Sequence, residues 1–102
     1  MKGASTNSVI LSGKVVNTYI YKDSFNITIG CFYQHENSYA DSMFRIMIVD
    51  KEMRKRYSSI VKGDKICVEG HLHLELGMTA GGNRKEALRI FAEKITVESE
   101  HD

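Results

Sequence analysis

Apolar and polar residues alternate along most of this chain with a period of two, and the alternation is interrupted once. From Asn7 to Tyr21 (NSVILSGKVVNTYIY), Val9, Leu11 and Val15 share one parity in a stretch rich in Val, Ile, Thr and Tyr, and Gly13 breaks the run. This pattern predicts a long first strand with a bend or bulge near the glycine, as closing a small barrel requires. Lys22-Asp23-Ser24 is turn-like, and Phe25 to His35 then alternates again, with Phe25, Ile27, Ile29, Cys31 and Tyr33 on one side. Glu36 to Asp41 (ENSYAD) reads as a polar loop of hairpin length. Ser42 to Val49 is almost continuously apolar, which predicts a strand buried on both faces or covered on one of them by a partner.

The interruption begins at Asp50. An N-cap aspartate precedes good helix formers, and Met53, Tyr57, Ile60 and Val61 recur at helical spacing up to Lys62-Gly63-Asp64, where Gly63 suits a C-cap. One short amphipathic helix is expected there. Lys65 to Leu76 returns to strict alternation, with Ile66, Val68, Leu72, Leu74 and Leu76 on one face and Gly70 marking a bend. Gly77 to Lys85 (GMTAGGNRK) reads as a glycine-rich loop with a basic tip. The last strand, Glu86 to Val97, changes parity between Ala92 and Ile95, which predicts a bulge near Glu93-Lys94.

The expected order is therefore β-β-β-α-β-β in a single all-β domain. Five strands with one short helix between strands 3 and 4 is the layout of the OB fold, a five-stranded, partly open Greek-key barrel. The helix would plug one end of the barrel with Met53, Tyr57 and Ile60. The domain is expected over residues 7–98, after a flexible N-terminus at 1–6 and before an acidic end at 99–102. With 102 residues there is material for one core. No apolar run approaches the roughly 18 residues of a membrane helix, and no secretory signal opens the chain, so no membrane association and a cytoplasmic location are expected. Cys31 and Cys67 lack a Cys-x-x-Cys spacing and read as thiols of a reducing compartment.

Charge changes the picture modestly. The net charge is +1, but the last ten residues hold four of the 13 acids and only one of the 14 bases. Met1 to Ala92 is left with 13 bases against 9 acids, a balance of +4. Such a surface permits a nucleic-acid ligand without demanding one.

Two stretches then become specific. Asn7-Ser8-Val9-Ile10-Leu11-Ser12-Gly13 resembles the N-x-V-x-L-x-G opening strand of the bacterial single-stranded DNA-binding protein family. Lys62-Gly63-Asp64-Lys65-Ile66-Cys67-Val68-Glu69-Gly70-His71-Leu72 resembles its K-G-x-x-V-x-V-x-G-x-L signature, and Asn26-Ile27-Thr28-Ile29 its second strand. The resemblance spans residues 7 to 97. That family carries a long glycine-rich tail, whereas this sequence stops just after its last expected strand. In this it is similar to the short primosomal replication protein N branch, which forms homodimers and helps restart stalled forks, and a phage- or plasmid-borne short relative is equally compatible. The resemblance implies single-stranded DNA as ligand and a role in replication, replication restart or repair. It also implies a homodimer through the first strand (Ile10 and Ser12), with partners such as a helicase or primase.

Sequence-tolerant binding of a single strand needs aromatic faces for bases and cations for phosphates. There is no tryptophan, so stacking falls to the nine Phe and Tyr residues and four His. The family's stacking positions map close to His35, with Tyr33 beside it, and to Phe44, followed by Arg45; a third maps to Gly77-Met78, where no aromatic stands. Phe44 reads either as a base platform or as a core residue. Tyr19, Tyr21 and Lys22 flank the groove side of an OB barrel. Arg84 and Lys85, with Arg89 beyond them, match the family's DNA-clasping loop, and Lys14 adds a cation on strand 1. The basic run Lys51, Arg54, Lys55 and Arg56 reads first as a solvated helix face, and second as a further path for wrapped DNA or a partner surface.

Catalysis is not expected, since no P-loop, nucleophile elbow or zincin motif occurs. His71-x-His73 offers two imidazoles without a third ligand, so neither metal nor cofactor is expected. The competing reading is a protein-interaction module of a replication complex, an OB scaffold that has lost strong nucleic-acid binding.

Overall fold

The structure, a computed structural model, describes residues 5–35 and 38–98, with 32–35 and 38–41 described through their backbone alone. The expected acidic end at 99–102 and the first four residues lie outside the described residues. Five strands and one helix follow in order: β1 (Val9–Tyr21), β2 (Ser24–His35), β3 (Ser38–Ile48), α1 (Lys51–Arg56), β4 (Lys65–Met78) and β5 (Arg84–Val97). The strands close into a barrel in the order β1-β2-β3-β5-β4.

β1 serves two neighbours in succession. Val9 to Lys14 pair with β4, and Lys14 to Tyr21 pair with β2, so the strand turns from one sheet neighbour to the other at Lys14. Gly13 sits at that corner, where a Cβ would overlap the carbonyl oxygen of Gly30. The bulge lies three residues further on, at Val16, which has no partner between the Val15–Ile29 and Asn17–Thr28 pairs. Gly70 repeats the device, since a Cβ there would overlap the Phe91 carbonyl. Opposite it, Glu93 is the extra residue between the Gly70–Ala92 and Glu69–Lys94 pairs, the bulge that the parity change predicts. The barrel closes through a short parallel seam, Ile46 with Ile90 and Met47 with Phe91.

The core is built from one parity of each strand. Val15, Ile27, Ile29, Ile46, Ile48, Ile66 and Val68 are fully buried, joined by Phe25, Ile60, Ile90 and Ile95. β-branched side chains suit this role because their stiff χ1 packs well on a pleated surface. Asp50 caps α1 by accepting a hydrogen bond from the Met53 amide at 3.0 Å. Met53 and Tyr57 pack on the end of the core, and the Tyr57 hydroxyl accepts from the Ile95 amide at 3.2 Å. At the other end of the chain, Asn7 donates from its side-chain amide to the Leu72 carbonyl (2.6 Å) and accepts from the Leu72 amide (2.8 Å). Its amide thereby imitates a strand residue just ahead of β1.

Five expectations need correction. The loop expected over 36–41 is largely strand, because β2 and β3 remain paired out to His35 and Ser38. Backbone pairing in a two-stranded ribbon tolerates polar side chains, so polarity alone misplaces its end. Of the two readings of the near-continuous apolar run of β3, burial on both faces within the chain does not hold: Met43 and Val49 are exposed while Ile46 and Ile48 are buried. The helix ends at Arg56 with Tyr57 as its C-cap, so Gly63 (φ 99°) shapes the turn before β4 rather than the helix end, and Val61 is exposed. Leu72, Leu74 and Leu76 continue the parity of Ile66 and Val68 yet are exposed, because β4 and β5 run beyond the barrel as a ribbon. The glycine-rich loop shrinks accordingly, since Gly77 and Met78 are paired with Lys85 and Arg84.

Candidate nucleic-acid interface

The parity that fills the core sends the other set of side chains outward, and register aligns them across the barrel. Tyr19 pairs with Asn26, Asn26 with Met47, Met47 with Phe91 and Phe91 with His71. Cross-strand partners share a face, so these five residues form one row across β1, β2, β3, β5 and β4. Its neighbours on the same face are Thr28, paired with Arg45, and Arg89, paired with His73.

A groove of about 370 Å³ lies over one end of this row, lined by Tyr19, Tyr21, Arg45, Met47, Glu75 and Arg89 above a floor of Ser24 and Asn26. The floor is held by a short relay, in which Asn26 donates to the Ser24 hydroxyl (3.0 Å) and Ser24 donates to the Tyr21 carbonyl (2.8 Å). Each tyrosine carries a cation. The Arg45 guanidinium lies 5.9 Å from the Tyr19 ring centroid, and the Lys22 ammonium lies 5.4 Å from that of Tyr21. Lys22 occupies the left-handed region (φ 52°) in the tight β1–β2 turn. Arg89 donates from Nε to a Glu75 carboxylate oxygen at 2.9 Å, and its Nη1 lies 3.6 Å from the Met47 sulfur. A cleft of this kind offers ring faces to a planar π-system and guanidinium groups to an anion.

The structure thus brings together Tyr19, Tyr21, Lys22, Arg45 and Arg89 from the expected set. It keeps others apart. Phe44 pairs with Ile29 and packs half-buried against the core, on the face opposite Arg45. Lys14 is exposed five residues before Tyr19 along β1, about 16 Å at the usual strand rise. Arg84 and Lys85 divide between the two faces of the β4–β5 ribbon. Lys85 shares the parity of Arg89 and lines a shallow hollow with Glu75 and Ala87, whereas Arg84 turns to Glu86 at 3.7 Å and to the side of Leu76 and Met78. The side chains of Tyr33 and His35 lie outside the described residues.

Phe91, Met47 and Glu75 escaped the sequence reading. One signal for Phe91 was present: along β5 the apolar residues Leu88, Ile90 and Ala92 hold the even positions, and Phe91 is the aromatic among the odd ones. His71 and His73 flank its ring, with centroids at 5.7 and 5.6 Å. Among the described residues no group of three His, Cys, Asp or Glu side chains converges as metal ligands would. Cys31 and Cys67 are free thiols; Cys31 packs on the core and donates to the Ser12 carbonyl at 3.3 Å, and burial pushes its thiol above the ordinary range.

This architecture is an all-β OB barrel with its short helix between β3 and β4. Among solved structures it is similar to a Plasmodium falciparum SSB in complex with ssDNA (TM-score 0.79, 17% identity, 97% of this chain and 100% of that one). It is similar as well to the S. cerevisiae mitochondrial single-stranded DNA-binding protein Rim1 (TM-score 0.73, 10% identity, 96% and 100%). A third is the small single-stranded DNA-binding protein of Streptomyces coelicolor (TM-score 0.62, 18% identity, 92% and 96%). No family profile matches the chain, and no curated protein matches it in sequence.

Proposed function

We propose that this chain is a non-catalytic single-stranded DNA-binding protein whose ligand lies across the outer face of the barrel. The observation that carries this reading is the groove in which Tyr19 and Tyr21 each hold a cation and Arg89 adds a third. Bases stack on the rings irrespective of sequence, and the cations meet the phosphates that pass between them. The solved structures of similar fold include one in complex with ssDNA, which supports the same reading. Affinity for a poly-dT oligonucleotide is expected to fall steeply with salt, and a duplex of equal length to bind more weakly. Fluorescence anisotropy at several salt concentrations tests both, and absence of binding at low salt removes the proposal.

The working unit in this reading is a homodimer. Val9 to Gly13 pair with β4 alone among the described residues, and Ile10 beside that edge is 65% exposed. Unpaired strand edges invite pairing with a second copy. Light scattering should give twice the chain mass of 11.6 kDa. A role in replication, replication restart or repair, beside a helicase or primase, follows from the sequence resemblance and belongs to the same proposal.

One feature favours the interaction-module reading as well. The inner face of the β4–β5 ribbon leaves Leu72, Leu74, Leu76, Met78 and Leu88 exposed. A contiguous apolar surface of this kind marks protein contact more often than nucleic-acid contact. If oligonucleotides fail to bind, this face becomes the functional one.

A further inference from the structure

The aromatic cluster on β4 and β5 lies outside the groove yet stands in its row. Phe91 is half-buried, the His71 ring lies offset and nearly parallel to it (27°), and the His73 ring meets it near edge-on (67°). Glu93 lies 3.5 Å from the His71 Nδ1, at one end of the cluster, and Glu69 lies 4.0 Å from Lys94. Three strand spacings separate Phe91 from Tyr19, about 14 Å, with Asn26 and Met47 between them in the row. Rings of this type have no core to fill at an outward position, and Phe91 is the aromatic on the β5 face that also carries Lys85, Ala87 and Arg89.

We propose that Phe91, flanked by His71 and His73, is a second base-stacking subsite that receives a nucleobase of the same strand after it leaves the Tyr19 groove. The inference rests on the single-stranded DNA reading and adds to it a direction: the strand crosses β1, β2, β3, β5 and β4 along one register row. The groove's cations serve the first subsite. At the second, the imidazoles widen the ring surface that a base can cover.

Photo-crosslinking tests this on the unaltered protein. Poly-dT carrying 5-iodouracil is irradiated with the chain, which is then cut with trypsin. Adducts are expected on the peptide 90–94, which holds Phe91, as well as on 15–22, which holds Tyr19. Phe91→Leu is expected to weaken poly-dT binding about ten-fold while leaving the salt slope unchanged, since stacking releases no counterions. His73→Ala, at an exposed position, should weaken binding in the same direction. Adducts confined to 15–22, with Phe91→Leu and His73→Ala binding as the parent does, overturn the subsite and leave the groove standing. Absence of binding by the parent overturns the reading on which the subsite depends.

Discussion

At the scale of single residues, the face on which a side chain stands decides its role more firmly than its chemical type. Phe44 and Phe91 are both phenylalanines in apolar strands, but Phe44 shares the side of Ile29 and Ile46 whereas Phe91 shares that of Arg89. Phe44→Ala should therefore lower stability, by somewhat less than the roughly 3–5 kcal/mol of a fully buried phenylalanine, and leave binding by the folded protein intact. Urea unfolding beside an oligonucleotide titration separates the two effects, and a stable variant with weakened binding would return Phe44 to the ligand face. Sequence alone kept both readings of Phe44 open because a single apolar run carries no record of which parity the barrel takes in. Glu75 illustrates a different kind of residue. Its carboxylate engages the Arg89 guanidinium, which in the proposed function is a phosphate contact. Glu75→Gln keeps the shape and removes the charge, so affinity for poly-dT should rise a few-fold at low salt, and Arg89→Ala should lower it. If Glu75→Gln binds no better than the parent, Arg89 is not a phosphate contact.

At the scale of elements, strand identity was legible and strand length was not. Alternation, turn residues and the Asp50 cap placed all six elements in order, and the parity change at Ala92–Ile95 located the Glu93 bulge. The two ribbons were misjudged for a physical reason. A strand's pattern reports which side chains face one another, and Leu72, Leu74 and Leu76 keep the core parity after the barrel wall has ended. Nothing in one strand marks where its neighbours across the barrel stop. Gly13 and Gly70 were more informative, because each stands where the backbone of another strand leaves no room for a Cβ. Gly70→Ala places a methyl group on the Phe91 carbonyl and should cost about 3 kcal/mol, the upper end for a group forced into filled space. Gly77→Ala, with open space around it, serves as the control. Equal melting temperatures for the two variants would show that the β4–β5 crossing is looser than described.

At the scale of the whole molecule, the seam between β3 and β5 has a consequence for dynamics. Every other join in the barrel is an antiparallel ladder several residues long, whereas this one rests on two neighbouring pairs. The barrel should breathe there first, and amide deuterium exchange should be fastest in the strand segments around Ile46–Met47 and Ile90–Phe91, relative to the other joins. Arg45 and Met47 stand on one side of that opening and Arg89 and Phe91 on the other. A strand of DNA laid across the row would stitch the two lips together, so ligand should slow exchange most at the seam and raise the melting temperature with its concentration. Uniform slowing over the whole barrel would argue against this. On this account occupancy and closure are one event, and the bound strand completes a wall that the polypeptide leaves short.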